Sequence, residues 1–218
     1  MLRDQLIQDW VAERFPGQAV QITPASADAS FRRYFRLSLP GGETRILMDA
    51  PPEKEDCHPF VAVARLLEEA NLNAPRVLIE DHERGILLLT DLGNALYLET
   101  LQSDDQRADK LFADAISALI IWQKSSCPDV LPPYDHALLK RELDLFPEWF
   151  LQRHLGLTLS DDQQKVLDTT FQLLIDNALA QAPVFVHRDY MPRNLMLCEP
   201  LSRRRARGDL CVAARRSS

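Results

Sequence analysis

Val184-Phe185-Val186-His187-Arg188-Asp189-Tyr190-Met191-Pro192-Arg193-Asn194-Leu195-Met196-Leu197 is the stretch from which the rest of the chain can be read. Two apolar runs, 184–186 and 195–197, flank a polar loop, and the pattern predicts two buried strand ends holding that loop from both sides. Inside it His187, Arg188, Asp189 and Asn194 fill every fixed position of the spacing H-R-D-x-x-x-x-N. The spacing suits phosphoryl transfer. A carboxylate must reach an attacking hydroxyl, while an amide oxygen holds Mg²⁺ beside the phosphates. Asp189 is thus the candidate base and Asn194 the candidate metal ligand. The same residues would also serve a plain turn after a core strand, with Asp189 and Asn194 bonding locally.

Around this loop the 218 residues carry a formal charge of −7, unevenly placed. Residues 201–218 hold six of the 25 basic side chains, all arginine, and only Asp209 of the 32 acidic ones. The first 200 residues therefore hold 19 basic against 31 acidic side chains, a net of −12. A body so acidic argues against nucleic acid as its partner, because phosphate contacts need basic surface. No apolar run approaches the roughly 20 residues that cross a bilayer. The first residues hold a charge pair and no signal-type apolar core, so a cytoplasmic protein without a membrane partner is expected. Cys57, Cys127, Cys198 and Cys211 lie far apart, with no His at metal-ligand spacing, and read as reduced thiols. Nothing in the pattern fixes an oligomeric state.

Taken in order, residues 4–15 read as an amphipathic helix with Leu6, Ile7, Trp10 and Val11 on one face. Strands are predicted over 19–23, 31–39 and 44–48, the last two joined at Pro40-Gly41-Gly42. Ser26, Ala27, Asp28, Ala29 and Ser30 form a small-residue loop whose backbone N–H groups could approach phosphates. Phe60, Val63, Ala64 and Leu67 recur at helical spacing, so 56–70 is a helix, and 76–80 with 85–90 is a strand pair. The expectation is an antiparallel sheet covered by a helix. After the linker 90–94 nearly everything to Gln181 reads as helical. Ser103 with Gln106 and Ser160 with Gln163 match capping boxes. The helix starting at Ser103 should point Leu111, Ala115, Ala118, Leu119 and Trp122 inward, the one starting at Ser160 Val166, Thr170, Phe171 and Leu174. Residues 135–154 should form a helix kinked at Pro147, with the stripe Phe146, Trp149 and Phe150 in the core.

A β-rich lobe, a linker, a helical lobe and this loop together resemble the aminoglycoside phosphotransferase branch of the kinase-like fold. The strings at 26–36 (SADASFRRYFR), 46–52 (ILMDAPP) and 87–93 (LLLTDLG) are similar to those of its anomeric N-acetylmuramate/N-acetylglucosamine kinases. The resemblance covers about residues 1–200. It implies an α+β, two-lobed kinase-like fold: a nucleotide-binding lobe over 1–92, a partial helical catalytic lobe over 93–200, and an atypical, disordered tail over 201–218. It implies ATP and Mg²⁺ as cofactors and an amino sugar as substrate. By position, Asp189 becomes the catalytic base and Asn194 a Mg²⁺ ligand. Residues 26–33, with Arg32 and Arg33, would cover the ATP phosphates, and the linker at Thr90 would meet adenine. His187 would brace the loop. Arg188 reads equally as a charge partner of the loop or as a solvated residue.

Three departures accompany the resemblance. Met48-Asp49-Ala50-Pro51 stands where the third strand ordinarily supplies Lys or Arg to the phosphates. The covering helix has no Glu near Val61 and Ala62 to pair with such a Lys. Arg32 or Arg33 would supply the missing charge, or else both are strand residues facing solvent. Lastly, the stretch from Leu201 lacks the apolar strand that ends in a second, metal-binding Asp. Asp209 lies at an acceptable distance but follows Arg-Ala-Arg-Gly. The tail reads as out-of-frame sequence or as a basic arm for an anionic partner. The catalytic lobe is therefore expected to be incomplete, and the chain a weak or inactive kinase; the alternative is a kinase-like nucleotide-binding or interaction module without turnover.

Overall fold

The computed structural model describes residues 3–27, 31–198 and 210–212, with backbone alone at 26–27 and 210–212. Strands β1 (Gln21–Ala27), β2 (Arg33–Ser38), β3 (Thr44–Asp49), β4 (Val77–Asp81) and β5 (Ile86–Thr90) form one antiparallel sheet in the order β1-β2-β3-β5-β4. Helix α1 (Arg3–Arg14) precedes it, and α2 (His58–Glu69) joins β3 to β4.

Period-two alternation decides which face each strand residue takes. On β3 and β5, Met48, Leu87 and Leu89 turn toward Phe60, Val61 and Ala64 of α2. Their neighbours Leu47, Ile86 and Leu88 turn to the other face, where Ile7, Trp10 and Val11 of α1 pack. One covering helix was expected; there are two. That is why β5 reads Ile-Leu-Leu-Leu without a polar break, since both its faces are dry. An ion pair and a hydrogen bond fasten α1 further: Arg3 Nε donates to the fully buried carboxylate of Asp49 at 2.7 Å, and Trp10 Nε1 donates to Asp81 at 2.9 Å. Gly85 makes the β4–β5 turn fit against β3. Its φ is +62°, and a Cβ there would stand 1.9 Å from the carbonyl oxygen of Ala50.

Two compact units result, Met1–Trp122 with His187–Ser218 and Gln123–Val186. In the first, the chain leaves β5 for α3 (Tyr97–Ser103), a short 3₁₀ turn and α4 (Ala108–Lys124), whose last two residues lie in the second unit. Leu111, Ala115 and Ala118 of α4 pack with Tyr97 and Leu195, and Trp122 is buried as expected, whereas Leu119 is half-buried. The cap falls one residue later than Ser103: the Asp104 side chain accepts from Gln106 N at 3.2 Å, because Ser103 still belongs to α3. Strand β6 (Leu195–Leu197) pairs antiparallel with β7 (Leu210–Val212). Asp209 and the rest of the tail lie outside the described residues. Cys57 and Cys127 have free thiols, but Cys198 is disulfide-bonded rather than reduced. The β6–β7 pairing folds the chain back beside it.

The second unit holds α5 (His136–Leu145), a π-helical turn (Phe146–His154) and α6 (Asp161–Leu179). The expected kink at Pro147 takes this form: a proline cannot donate to the ladder, and the helix widens where it stands. Ser160 and Gln163 do form a reciprocal capping box. The expected interior is largely wrong, however. Phe171 and Ile175 are buried, but Val166, Leu174, Phe146, Trp149 and Phe150 are all exposed. The aromatic stripe stacks on itself, Phe146 on Phe150 at 5.6 Å, with Arg153 3.9 Å above the Trp149 ring. Sequence periodicity locates an apolar face, but burial also requires a neighbouring element to cover it.

Candidate active site

Among the described residues the loop at 187–194 is continued by a strand at one end only. Residues 195–197 form β6 as expected, while 184–186 pair with no strand; Val184 and Val186 are exposed and only Phe185 is buried. On that side Phe185 N donates to Ser126 Oγ at 2.7 Å. From β6 the loop is tied to the linker, through the Leu96–Met196 bridge and a 2.8 Å bond from Leu197 N to Ala95 O. Tyr190 ties it to α4 by donating to Ala115 O at 2.6 Å, and burial of its phenol pushes its pKa up. His187 packs edge-on against Tyr190 at 5.1 Å, the bracing position expected of it. Arg188 is exposed with φ at +70°, a left-handed conformation that bulky residues rarely take, and one that reverses the chain just before Asp189.

Within this frame Asp189 and Asn194 meet. Asn194 is buried, and its Nδ2 donates to Asp189 Oδ2 at 2.6 Å and to Asp189 O at 3.0 Å. Both amide protons therefore go to Asp189, and the Asn194 carbonyl oxygen is left as an acceptor. One Asp189 carboxylate oxygen is oriented, and the other is not used in that contact.

Asn194 also lines a cavity of about 350 Å³ within the first unit, between the sheet and the loop. Ile46 and Leu89 from the sheet, Phe60 from α2, and Leu96 and Met196 line an apolar slot. Thr90, Asp91, Gly93 and Asn94 of the linker line it as well, with Arg36 from β2, Glu99 from α3 and Arg193 beside Asn194. The register shift in β1 between Pro24 and Ser26 falls at Ala25, which reaches the same cavity. An apolar slot of this size with a few convergent polar groups suits a planar ligand that carries polar ends.

Of the other predicted positions among the described residues, Thr90 lines this cavity and Arg32 and Arg33 do not. Ser26 and Ala27 continue β1, opposite Tyr34 and Arg33, instead of forming a loop, because the bulge lets the strand run on. Asp28, Ala29 and Ser30 lie outside the described residues. Thr90 lines the cavity, but its Oγ1 accepts from Arg76 N at 2.9 Å. Arg32 is buried, ion-paired with Glu55, and lies 5.9 Å from the Phe60 ring centroid. Arg33 does not face solvent alone: it pairs with Asp49 at 2.7 Å and with Asp4 at 2.7 Å. Burial opposes its charge, yet the hydrogen bonds and charges of those two carboxylates raise its pKa overall.

Sequence reading missed Arg36 and Asp91, although both lie inside quoted strings. Arg36 Nε donates to Asp91 Oδ2 at 2.6 Å and Nη2 to Asp91 Oδ1 at 3.0 Å. Burial alone would push the Asp91 carboxyl up, but hydrogen bonds from Arg36, Gly93 N and Thr44, with the Arg36 charge, hold it below the usual range. The legible signal was period two: Arg36 shares a strand face with Tyr34, so a charge there needed a partner.

For a Mg²⁺ ion the described residues offer hard oxygen donors of the right kind, the Asn194 amide oxygen beside the Asp189 carboxylate. They hold no group of three His, Cys, Asp or Glu side chains that could bind a metal by themselves. The set fits an ion that is completed by phosphate oxygens and water.

Comparison with known proteins agrees with this geometry. The chain is 50% identical over 199 residues to the N-acetylmuramate/N-acetylglucosamine kinase of Pseudomonas putida, covering 90% of this chain and 58% of that one. It is 53% identical over 180 residues to the protein so named in Pseudomonas aeruginosa (83% and 52%), and 40% identical over 199 to that of Neisseria meningitidis (90% and 59%). The chain thus spans just over half the length of the curated relatives it matches. Among solved structures, the streptomycin–ATP–APH(2″)-IIa ternary complex superposes with a TM-score of 0.58 at 14% identity, covering 96% of this chain and 69% of that one. ADP-bound aminoglycoside phosphotransferase APH(2″)-Ib gives 0.57 at 14%, over 96% and 69%. The fold is therefore the α+β fold of aminoglycoside phosphotransferases. Residues 21–205 match the profile of one family, a span that contains the sheet, the linker and the Asp189–Asn194 loop alike, and by it the chain belongs to the Phosphotransferase enzyme family.

Proposed function

We propose that this chain carries the nucleotide and base machinery of an ATP-dependent kinase that phosphorylates an amino-sugar hydroxyl. The acceptor we assign is the anomeric hydroxyl of N-acetylmuramate or N-acetylglucosamine, after the names of its relatives. The observation that carries the reading is the Asp189–Asn194 contact, because Asn194 lines the same cavity as the linker. Phosphoryl transfer asks the protein mainly to position groups and neutralise charge. Asn194 orients Asp189, whose carboxylate accepts the proton of the attacking hydroxyl. The Asn194 carbonyl oxygen would hold Mg²⁺ together with phosphates and water, and the ion would offset phosphate charge. The apolar slot between Ile46, Leu89 and Met196 takes the adenine ring, and Thr90 lies beside it in the linker. Arg32, set on Glu55, stands in for the basic residue that β3 lacks.

The test is Asp189→Asn, assayed with ATP, Mg²⁺ and each amino sugar, on this chain and on the chain extended over the relatives' remaining length. ATP affinity should stay within about twofold while kcat falls by about 10²–10⁴. An unchanged kcat would remove Asp189 from the mechanism. A second reading, nucleotide binding without turnover, draws on the metal donors, which apart from the base Asp189 amount among the described residues to the Asn194 amide oxygen. It predicts ATP binding but no Mg²⁺-dependent phosphate transfer in either form.

A further inference from the structure

Arg36 makes more contacts with the linker than any phosphate-binding role would require. Besides its two bonds to Asp91, Nη1 donates to Asn94 Oδ1 at 2.5 Å and Nη2 to Gly93 O at 3.0 Å. Four donor contacts thus go to residues 91, 93 and 94. We infer that Arg36 is a positioning residue for the nucleotide base, clamping the 91–94 linker to the sheet so that the base end of the cavity keeps one shape. This inference rests on the nucleotide reading above.

The chemistry follows from what those contacts leave over. A guanidinium is a rigid planar fork with five N–H groups, all in plane. With four of its five N–H groups turned to the linker, Arg36 offers the cavity it lines mainly its aliphatic stem and the flat face of the fork, with one Nη1–H left over. Such a surface suits a flat ring and is poorly placed to hold phosphate oxygens. The linker needs an external hold: it contains neither helix nor strand, and Gly93 sits at φ +90°, a conformation that glycine adopts without fixing it by a side chain. Asp91 completes the clamp from within, since its carboxylate, 4% exposed, also accepts from Gly93 N at 2.9 Å. The fork is anchored in turn by β2, where Arg36 stands opposite Ile46 of β3.

The experiment measures ATP and adenosine binding by calorimetry, and amide hydrogen exchange across 91–94, in the wild-type chain, Arg36→Ala, Arg36→Lys and Asn94→Ala. Arg36→Ala should weaken ATP and adenosine equally, by about tenfold, as expected for loss of charge-assisted bonds. Exchange should quicken within 91–94 and nowhere else in the sheet. Lysine, which keeps the charge but not the fork, should recover only part of the loss. Asn94→Ala removes one contact and keeps the ion pair, so it reports on the clamp even if Arg36→Ala folds poorly; a smaller loss, again equal for both ligands, is expected. A loss confined to ATP would make Arg36 a phosphate ligand and overturn the inference, as would unchanged affinity and exchange. If the wild-type chain binds neither ligand, the nucleotide reading itself falls and takes the inference with it.

Discussion

Arg32 and Arg33 are neighbours in sequence but have quite different surroundings. Arg33 lies in β2 and is neutralised by Asp49 and Asp4, so little of its charge is left for a nucleotide. Arg32 just precedes the strand, is buried with Glu55 beside it, and stands over Phe60, whose own ring lines the cavity. An arginine buried with one carboxylate keeps its charge and a fixed direction. Arg32→Ala should therefore weaken ATP binding about tenfold or more and leave adenosine within about twofold, the reverse of the pattern argued for Arg36. Calorimetry with both ligands decides it, and equal losses would mean that Arg32 acts only through the fold. The sequence offered both arginines as one alternative, phosphate or solvent. It could not separate them, because their partners Glu55, Asp49 and Asp4 come from three other segments of the chain.

At the level of elements, strand and helix identity was readable because each depends on a local period. Burial was readable only where the covering element could also be recognised. The alternation Ile46, Leu47, Met48 marks a strand with two apolar faces, and α1 and α2 supply both covers. The loop at 187–194 was legible because its chemistry lies within eight residues, whereas the bulge that carries β1 through Ala27 leaves no mark in composition. Asp49 shows how one element can be changed without loss of the sheet. Where a lysine would face the nucleotide, β3 ends in a fully buried carboxylate that holds Arg3 of α1 and Arg33 of β2. Its role is to fasten helix to sheet. Asp49→Ala should lower the unfolding free energy by about 3 kcal/mol, the low end for a broken buried pair because both arginines can turn to water. Urea unfolding of the chain measures this, and a loss under about 1 kcal/mol would show that packing of Trp10 and Val11 alone holds α1.

Across the whole molecule, apolar surface is distributed unequally. Strand β5 is dry on both faces, while α4 exposes Phe112, Ile116, Ile120 and Ile121 within ten residues. In the other unit, Phe146, Trp149 and Phe150 are exposed, as are Val166, Leu173 and Leu174 of α6. Isolated exposed apolar residues are ordinary, but runs at helical spacing mark surface that another element covers. The curated relatives are longer than the matched span, which takes up only 52–59% of them. No helix among the described residues is long and apolar enough to cross a membrane. Extending the chain with the segments that the relatives carry beyond the matched region should cover them. The expected outcome is weaker binding of a hydrophobic dye, a blue-shifted tryptophan emission as Trp149 loses water, and less scattering on concentration. Mg²⁺-dependent turnover with amino sugar should rise by orders of magnitude in the same protein, since added carboxylates would complete an ion site to which the described residues bring, besides the base Asp189, only the Asn194 amide oxygen. Dye binding equal in both forms would show that the exposed faces of α4 and α6 belong to the working surface of the protein. Equal turnover would show that this chain already holds what catalysis needs, and Asp209→Ala would then test the carboxylate nearest the loop in sequence.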